Sequence, residues 1–370
     1  MPVVKMLAAA AAALLLLVAA PAVRAADTAS ANDTARVLAG LAPDAGSPLA
    51  PLTKTAAWQQ HARAFDAAFG RLERRQLEKI RAWSKAHLTR QKPTLFYMFS
   101  GPDFLYADAF FPNAETYVLS GLEPVGAVPD LADLPRGTLG GELRQLQGSL
   151  DSILAYSFFV TKKMKTNLRA GRITGTLPVI YVFLARTGHT VRSVERVALA
   201  ADGTVRPDDE TVRKSGAHGV KIVFSGPDQK PRTLFYFTTD LSDRSVETSG
   251  FLAFCRTLAP ADGFVKSASY LLHSGSFSTV RKFLLAETAT MVQDDSGIPL
   301  AHYDAGTWEL APFGRYLGPI ALFPGRYQAG YARLFRKSTP IDFGIGYRWR
   351  PNQSNVLVAT RKTPETRAEK

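Results

Sequence analysis

The chain has 370 residues, of which 46% are hydrophobic and 21% charged, a balance that excludes disordered and fibrous classes. Its formal charge is +13, and its single cysteine, Cys255, excludes an internal disulfide. That cysteine lies in the apolar run Phe251–Cys255 and reads as a buried, inert thiol.

Lys5, the apolar run from Met6 to Ala22 and the small-residue exit at Val23-Arg24-Ala25 make residues 1–25 a secretory signal peptide. An uncleaved anchor is the competing reading, but the run is Ala-rich and falls short of the roughly 20 residues of a membrane span. The segment has no cysteine for lipoprotein acylation, and no later stretch reads as a transmembrane segment. The expected location is therefore the bacterial envelope, periplasmic or secreted. Cleavage removes Lys5 and Arg24 and leaves +11, because no acidic residue precedes Asp27. In an exported protein that excess points to an anionic envelope component, with no nucleic acid expected as a partner.

Residues 26–53, rich in Ala, Ser, Thr, Asp and Pro, read as a flexible leader. Residues 54–370 read as a single body, with a possible split near 172 where long helices give way to hairpins. From Thr55 a helical stripe runs through Trp58, Phe65, Phe69, Leu72, Leu77, Ile80, Trp83 and Leu88, and Pro93 ends it. Residues 54–92 hold ten basic and three acidic side chains, +7 of the expected mature charge. The stripe is too costly to leave in water, at about 1.5–3 kcal/mol per large side chain. It is expected to dock on the core, leaving the basic helix 54–92 free to meet an anionic envelope component.

Thr94–Ser100 reads as a strand broken by Gly101-Pro102, followed by a short helix to Phe111 with Asp103 at its N-terminus. Thr116–Ser120 is the next strand, and Thr138–Arg169 a second long helix. Leu177–Arg186 and Val191–Ala200 read as one hairpin, Val220–Ser225 and Thr233–Thr239 as another. Beyond them come a helix at 249–258, a strand at 268–272, a helix at 277–286 and a strand at 288–292. Asp342–Trp349 and Asn355–Thr360 alternate like strands. The fold class is α/β: a mixed sheet of Rossmann-like β-α-β units, with antiparallel hairpins and two long covering helices. Tyr97–Gly101 with Ala114-Glu115-Thr116 is echoed by Leu271–Gly275 with Ala286-Glu287-Thr288, a rhythm that a duplicated unit would leave.

Ligands of open α/β sheets bind beyond the C-terminal ends of parallel strands. Ser100, Gly101, Asp103, Glu123 and Gly275 would lie there. A glycine loop after one strand and an acid after the next resembles a class I methyltransferase or dinucleotide-binding β-α-β unit, a likeness that covers about thirty residues. It implies that Glu123 meets a ribose hydroxyl. The G-x-G-x-x-G fingerprint is absent, and Pro102 removes a donor that a phosphate loop would use.

His273, Asp294, Asp295, His302 and Asp304 form a second cluster, whose imidazole and carboxylate chemistry suits a divalent metal such as Zn or Mn. Alternatively His273 or His302 would serve as base for Ser274 or Ser276 as nucleophile. Neither pattern has diagnostic spacing, and helix caps, a turn and ordinary polar histidines account equally for these residues. His61, His87, His189 and His218 are scattered and receive no role. No cofactor is identified.

The phrases FYMFSGPDFLYADAFFPNAETYVLSGLEPVG and SGSFSTVRKFLLAETATM resemble a family of exported bacterial proteins without an assigned function. The likeness implies an envelope location and carries over no activity or site residue. The expected function is non-catalytic binding of a small molecule or an anionic envelope component. The alternative is a metal-dependent or hydrolase-like periplasmic enzyme built on the histidine and aspartate cluster.

Overall fold

The structure is a computed structural model and describes residues 25–135, 137–159, 166, 171–208 and 217–362. Helices α1 (Ala25–Leu38), α2 (Ala56–Leu72) and α3 (Glu78–His87) precede β1 (Thr94–Tyr97), α4 (Phe104–Phe110) and β2 (Thr116–Gly121). Next come α5 (Leu139–Tyr156), α6 (Leu177–Arg186), β3 (Thr190–Leu199), β4 (Val205–Pro207), β5 (His218–Ser225) and β6 (Pro231–Thr238). The remainder is α7 (Asp243–Val246), α8 (Phe251–Thr257), β7 (Ala261–Val265), α9 (Ser278–Glu287), β8 (Thr288–Gln293), β9 (Trp308–Gly314), α10 (Ala329–Leu334) and β10 (Asn355–Arg361).

The ten described strands form one mixed sheet in the order β4-β3-β5-β6-β2-β1-β7-β8-β10-β9. Its middle five, β6, β2, β1, β7 and β8, are parallel. Numbered along the chain, these five stand in the order third, second, first, fourth, fifth. That is the doubly wound arrangement, with the winding direction reversing between β1 and β7. Antiparallel pairing of β5 on β6 and of β10 on β8 extends the sheet at both ends. A division near residue 172 would cut β2 from β6 and β1 from β7 within this one sheet.

Strand alternation splits the core into two layers. Leu95, Tyr97, Tyr117, Leu119 and Tyr236 face one layer, while Phe96, Val118, Phe235 and Phe237 face the other. Helices α1–α6 contribute to the first layer, α8 and α9 to the second. Every residue of the early stripe is buried. Its awkward interval from Leu72 to Leu77 is absorbed by a π-helical turn, Glu73–Leu77, whose i→i+5 bonding accommodates an extra residue. The same turn sends Gln76 inward, where it is fully buried.

Several sequence expectations need correction. Part of the expected tether over 26–53 is instead docked on the core, at Asp33–Ala35, Val37–Gly40, Ser47 and Leu49, while 44–46 stay exposed. Val37 and Leu38 are fully buried, Trp58 Nε1 donates to the Val37 carbonyl (2.9 Å) and the His61 ring meets the Leu38 carbonyl (2.8 Å). Burial pushes the His61 imidazole down to about 4, so it stays neutral near pH 7. Leu177–Arg186 is a helix with Pro178 in its first turn, and not a strand. Leu177 to Leu184 are buried on every face, and a helix buried all round carries no period to distinguish it from a strand.

The fourth parallel strand is Ala261–Val265, and not 268–272. Its sequence hides it, since Asp262 and Gly263 are poor strand formers. Gly263 leaves room for the Met291 side chain, whose sulfur would stand 2.1 Å from a Cβ there and would have to move. Asp342–Trp349 has no regular structure, while β9 (Trp308–Gly314), with Pro312 inside it, was not anticipated. Pro312 is tolerated because β9 is an edge strand. The expected signal peptide lies almost wholly outside the described residues, as does most of 157–169 at the end of the second long helix. No described helix is long and apolar enough to cross a membrane.

Docking of α1 has a direct test. Leu38→Ala should cost about 2–5 kcal/mol of stability, read as a lower urea midpoint with an unchanged slope. A tether would leave the midpoint where it was.

Candidate functional site: a crevice at the switch point

The reversal of winding between β1 and β7 separates the loops that follow them, and a crevice of about 380 Å³ opens there. The β1 loop begins at Met98 and the β7 loop at Lys266. Four of the six described non-glycine residues at positive φ lie in these two loops: Phe99 (61°), Ser267 (52°), Ser269 (51°) and Tyr270 (54°). Such strained backbone gathers at ligand clamps and persists only where the surroundings enforce it.

Ser100, Gly101, Asp103 and Glu123, selected from sequence, all line this crevice, whereas Gly275 does not. Gly121 permits the close packing at the end of β2. A Cβ there would stand 2.5 Å from Glu123 Oε2 and 2.9 Å from the Gly101 Cα. The Glu123 carboxylate is thus held beside Gly101 and Gly121 on the crevice wall, only 5% exposed. Its own backbone carbonyl is anchored by the Tyr236 and Thr238 hydroxyls, both at 2.8 Å.

Three backbone positions of the glycine loop are closed to a phosphate. The Gly101 N–H donates to the Ser120 carbonyl (3.0 Å), Pro102 has none, and the Phe104 N–H turns back to the Pro102 carbonyl (2.8 Å). The Ser100 hydroxyl receives the Ser120 N–H (3.2 Å) and so staples β1 to β2. Asp103 caps α4 by accepting the Tyr106 N–H (3.2 Å), as its position at the helix N-terminus implied.

Sequence reading missed Lys266, which the misplaced fourth strand left in a supposed loop. It is 4% exposed, lines the crevice, and pairs with Asp103 Oδ2 at 2.7 Å. Its ammonium also donates to the Ser157 carbonyl (2.5 Å) and lies 4.3 Å from the centre of the Tyr106 ring. Tyr97 donates its hydroxyl to the same Asp103 oxygen (2.8 Å). Burial together with the Asp103 charge holds the Tyr97 phenol well above its usual range. Phe158, Phe159 and Phe277 add apolar wall, and Leu122 stands 56% exposed at the rim. The buried Ser267 Oγ, also on the lining, has no hydrogen-bond partner.

The histidine and aspartate cluster comes out differently. Asp294 and Asp295 do end β8, but their oxygens are spent on structure. Asp294 accepts the Ser267 N–H (3.0 Å) and both donors of Ser296 (N at 3.0 Å, Oγ at 2.5 Å). Asp295 accepts the Tyr270 hydroxyl (2.6 Å) and the Asn355 amide (3.0 Å). Asp304 accepts the Thr307 hydroxyl, His302 sits on an exposed 3-10 turn, and Ser274 caps the next turn by accepting the Ser276 N–H (3.2 Å). His273 and Gly275 follow β7 at a distance, so the proposed echo of the β1 unit has no matching strand end. Among the described residues, no three His, Cys, Asp or Glu side chains gather to hold a metal ion. The Ser274 hydroxyl has no hydrogen bond to a histidine among them either. Cys255 is fully buried, and burial raises its thiol pKa well above the usual range.

The aspartate pair should register in stability. Burial lifts both carboxyls, and the Asp295 charge lifts Asp294 further. The folded state therefore holds protons that the unfolded chain releases near pH 4, and stability is lost as pH rises from there toward neutrality. Asp294→Asn should flatten the fall of the urea midpoint across that window, whereas parallel curves would place the effect elsewhere. Comparison of the chain with family models, curated protein sequences and solved structures finds no match.

Proposed function

We propose that this is an exported envelope protein that binds a small molecule in the switch-point crevice without transforming it. The observation that carries the reading is the Glu123 carboxylate, fixed at the end of β2 beside Gly101 and Gly121 on the wall of the crevice. An acid in that position suits a pair of ring hydroxyls. The apolar wall of Phe158, Phe159 and Phe277, with Leu122 at the rim, suits the flat face of an attached base or ring. The volume is that of an ordinary small-molecule site. With Gly101 and Phe104 N–H turned to backbone carbonyls and none on Pro102, the loop is poorly suited to a diphosphate, and the ligand class is an uncharged, nucleoside-like molecule.

A second reading is favoured by the surface of α2 and α3. Arg63, Arg71, Arg74 and Lys85 are exposed there while the apolar stripe is buried, which leaves a basic face for an anionic envelope component. The two readings are compatible, since the face and the crevice draw on different residues.

Adenosine is the probe that tests the crevice. Saturable binding by calorimetry is expected, and Glu123→Gln should weaken it about tenfold or more, the loss appropriate to a hydrogen bond to a charged group. Binding that is absent, or indifferent to that change, would remove the nucleoside-like reading.

A further inference from the structure

We infer a second ligand site, for a zwitterion of the apolar α-amino-acid class, at the opposite edge of the sheet. A cavity of about 440 Å³ opens where the end of α3 meets the first residues of β7 and the strands β8, β10 and β9. It shares no lining residue with the switch-point crevice.

Two acceptors in its lining go unanswered. Asp262 is 1% exposed and its Oδ2 accepts the Lys92 N–H at 2.7 Å; Thr290 on the same lining adds support to the carboxylate, but Oδ1 has no hydrogen bond of ordinary geometry. Gln91 donates its amide to Ser84 Oγ and the Phe110 carbonyl, both at 3.1 Å, which orients the amide and leaves Oε1 buried and also without a partner. Folded proteins rarely bury two acceptors on one cavity without a donor to meet them. An ammonium supplies three donors and a charge to match Asp262. His87 and Leu88 also line the cavity at the C-terminal end of α3, where the helix dipole favours a cation.

The rim calls for the opposite charge. Arg90 is exposed there, and Arg361 and Lys362 stand nearby, each turned toward backbone carbonyls. Arg361 and Lys362 are engaged and Glu309 on the same lining offsets part of the positive charge, so Arg90 is the cation that a carboxylate a few ångströms from the ammonium would pair with. Phe111, Phe313 and Val358 supply apolar wall for a hydrocarbon side chain. The ligand chemistry is thus an ammonium at Asp262 and Gln91, a carboxylate toward Arg90, and an apolar side chain between them.

Calorimetric titration of the full chain with L-leucine, isopentylamine and 4-methylpentanoate separates these contacts, because the last two each lack one charged group. Leucine should bind saturably and more tightly than either fragment. Asp262→Asn and Arg90→Gln should each weaken leucine about tenfold or more, while Arg90→Gln should leave isopentylamine no weaker. Failure of leucine to bind, or equal binding by wild type and both variants, overturns the site. If Asp262→Asn does not fold, Arg90→Gln decides alone, since that side chain is exposed and its loss leaves the core untouched.

Discussion

The buried ion pair between Asp103 and Lys266 is the constraint on which the site depends. Both side chains are nearly excluded from solvent, at 1% and 2% exposure. Taking two such charges out of water costs several kcal/mol per ion, on the order found for buried pairs generally, and is repaid only when the remaining donors and acceptors are also met. Here they are. Asp103 receives Lys266, the Tyr97 hydroxyl and the Tyr106 N–H, while Lys266 reaches the Ser157 carbonyl and lies over the Tyr106 ring. Tyr106 in turn donates its hydroxyl to Gln76, which the π-helical turn points inward. One chain of contacts therefore joins the loops after β1 and β7, the cap of α4, the end of α5 and the α2–α3 pair.

That arrangement explains why the crevice has a fixed floor although its walls are loops. The two strained segments, at Phe99 and at Ser267–Tyr270, leave adjacent parallel strands whose paths diverge at the switch point. The ion pair spans the gap between them. Asp294 and Asp295 then brace the β7 loop from the side of β8, through Ser267 and Tyr270. The residues that suggested a metal centre thus act as supports for the loop that lines the crevice. At the other edge of the sheet, Asp262 accepts the Lys92 N–H and so fixes the entry into β1 relative to β7. Acids at both ends of the same pair of strands set their relative position.

Much of the fold was legible where local chemistry and pattern agreed. The stripe from Trp58 to Leu88, the cap at Asp103, the β5–β6 hairpin and the positions of Gly101 and Glu123 all follow from spacing and turn residues. Legibility failed where burial erased periodicity. The α6 segment is apolar on every face, so only Pro178 in its first turn marked it as a helix. Strand β7 carries Asp262 and Gly263 for tertiary reasons that no local rule contains. Its displacement in the sequence reading by seven residues hid Lys266, and with it the partner that explains Asp103. The leader's Ala-rich composition suggested disorder, yet Val37 and Leu38 supply apolar surface that the helices and strand behind them require.

A double-mutant cycle on Asp103→Asn and Lys266→Met, read by urea unfolding, tests the ion pair most directly. Each single change should cost about 3–5 kcal/mol, because it strands a buried partner. The double variant should lose much less than the sum, with a coupling of about 0.5–3 kcal/mol or more. Losses that add to within about 0.5 kcal/mol would contradict a pair that holds the two loops together.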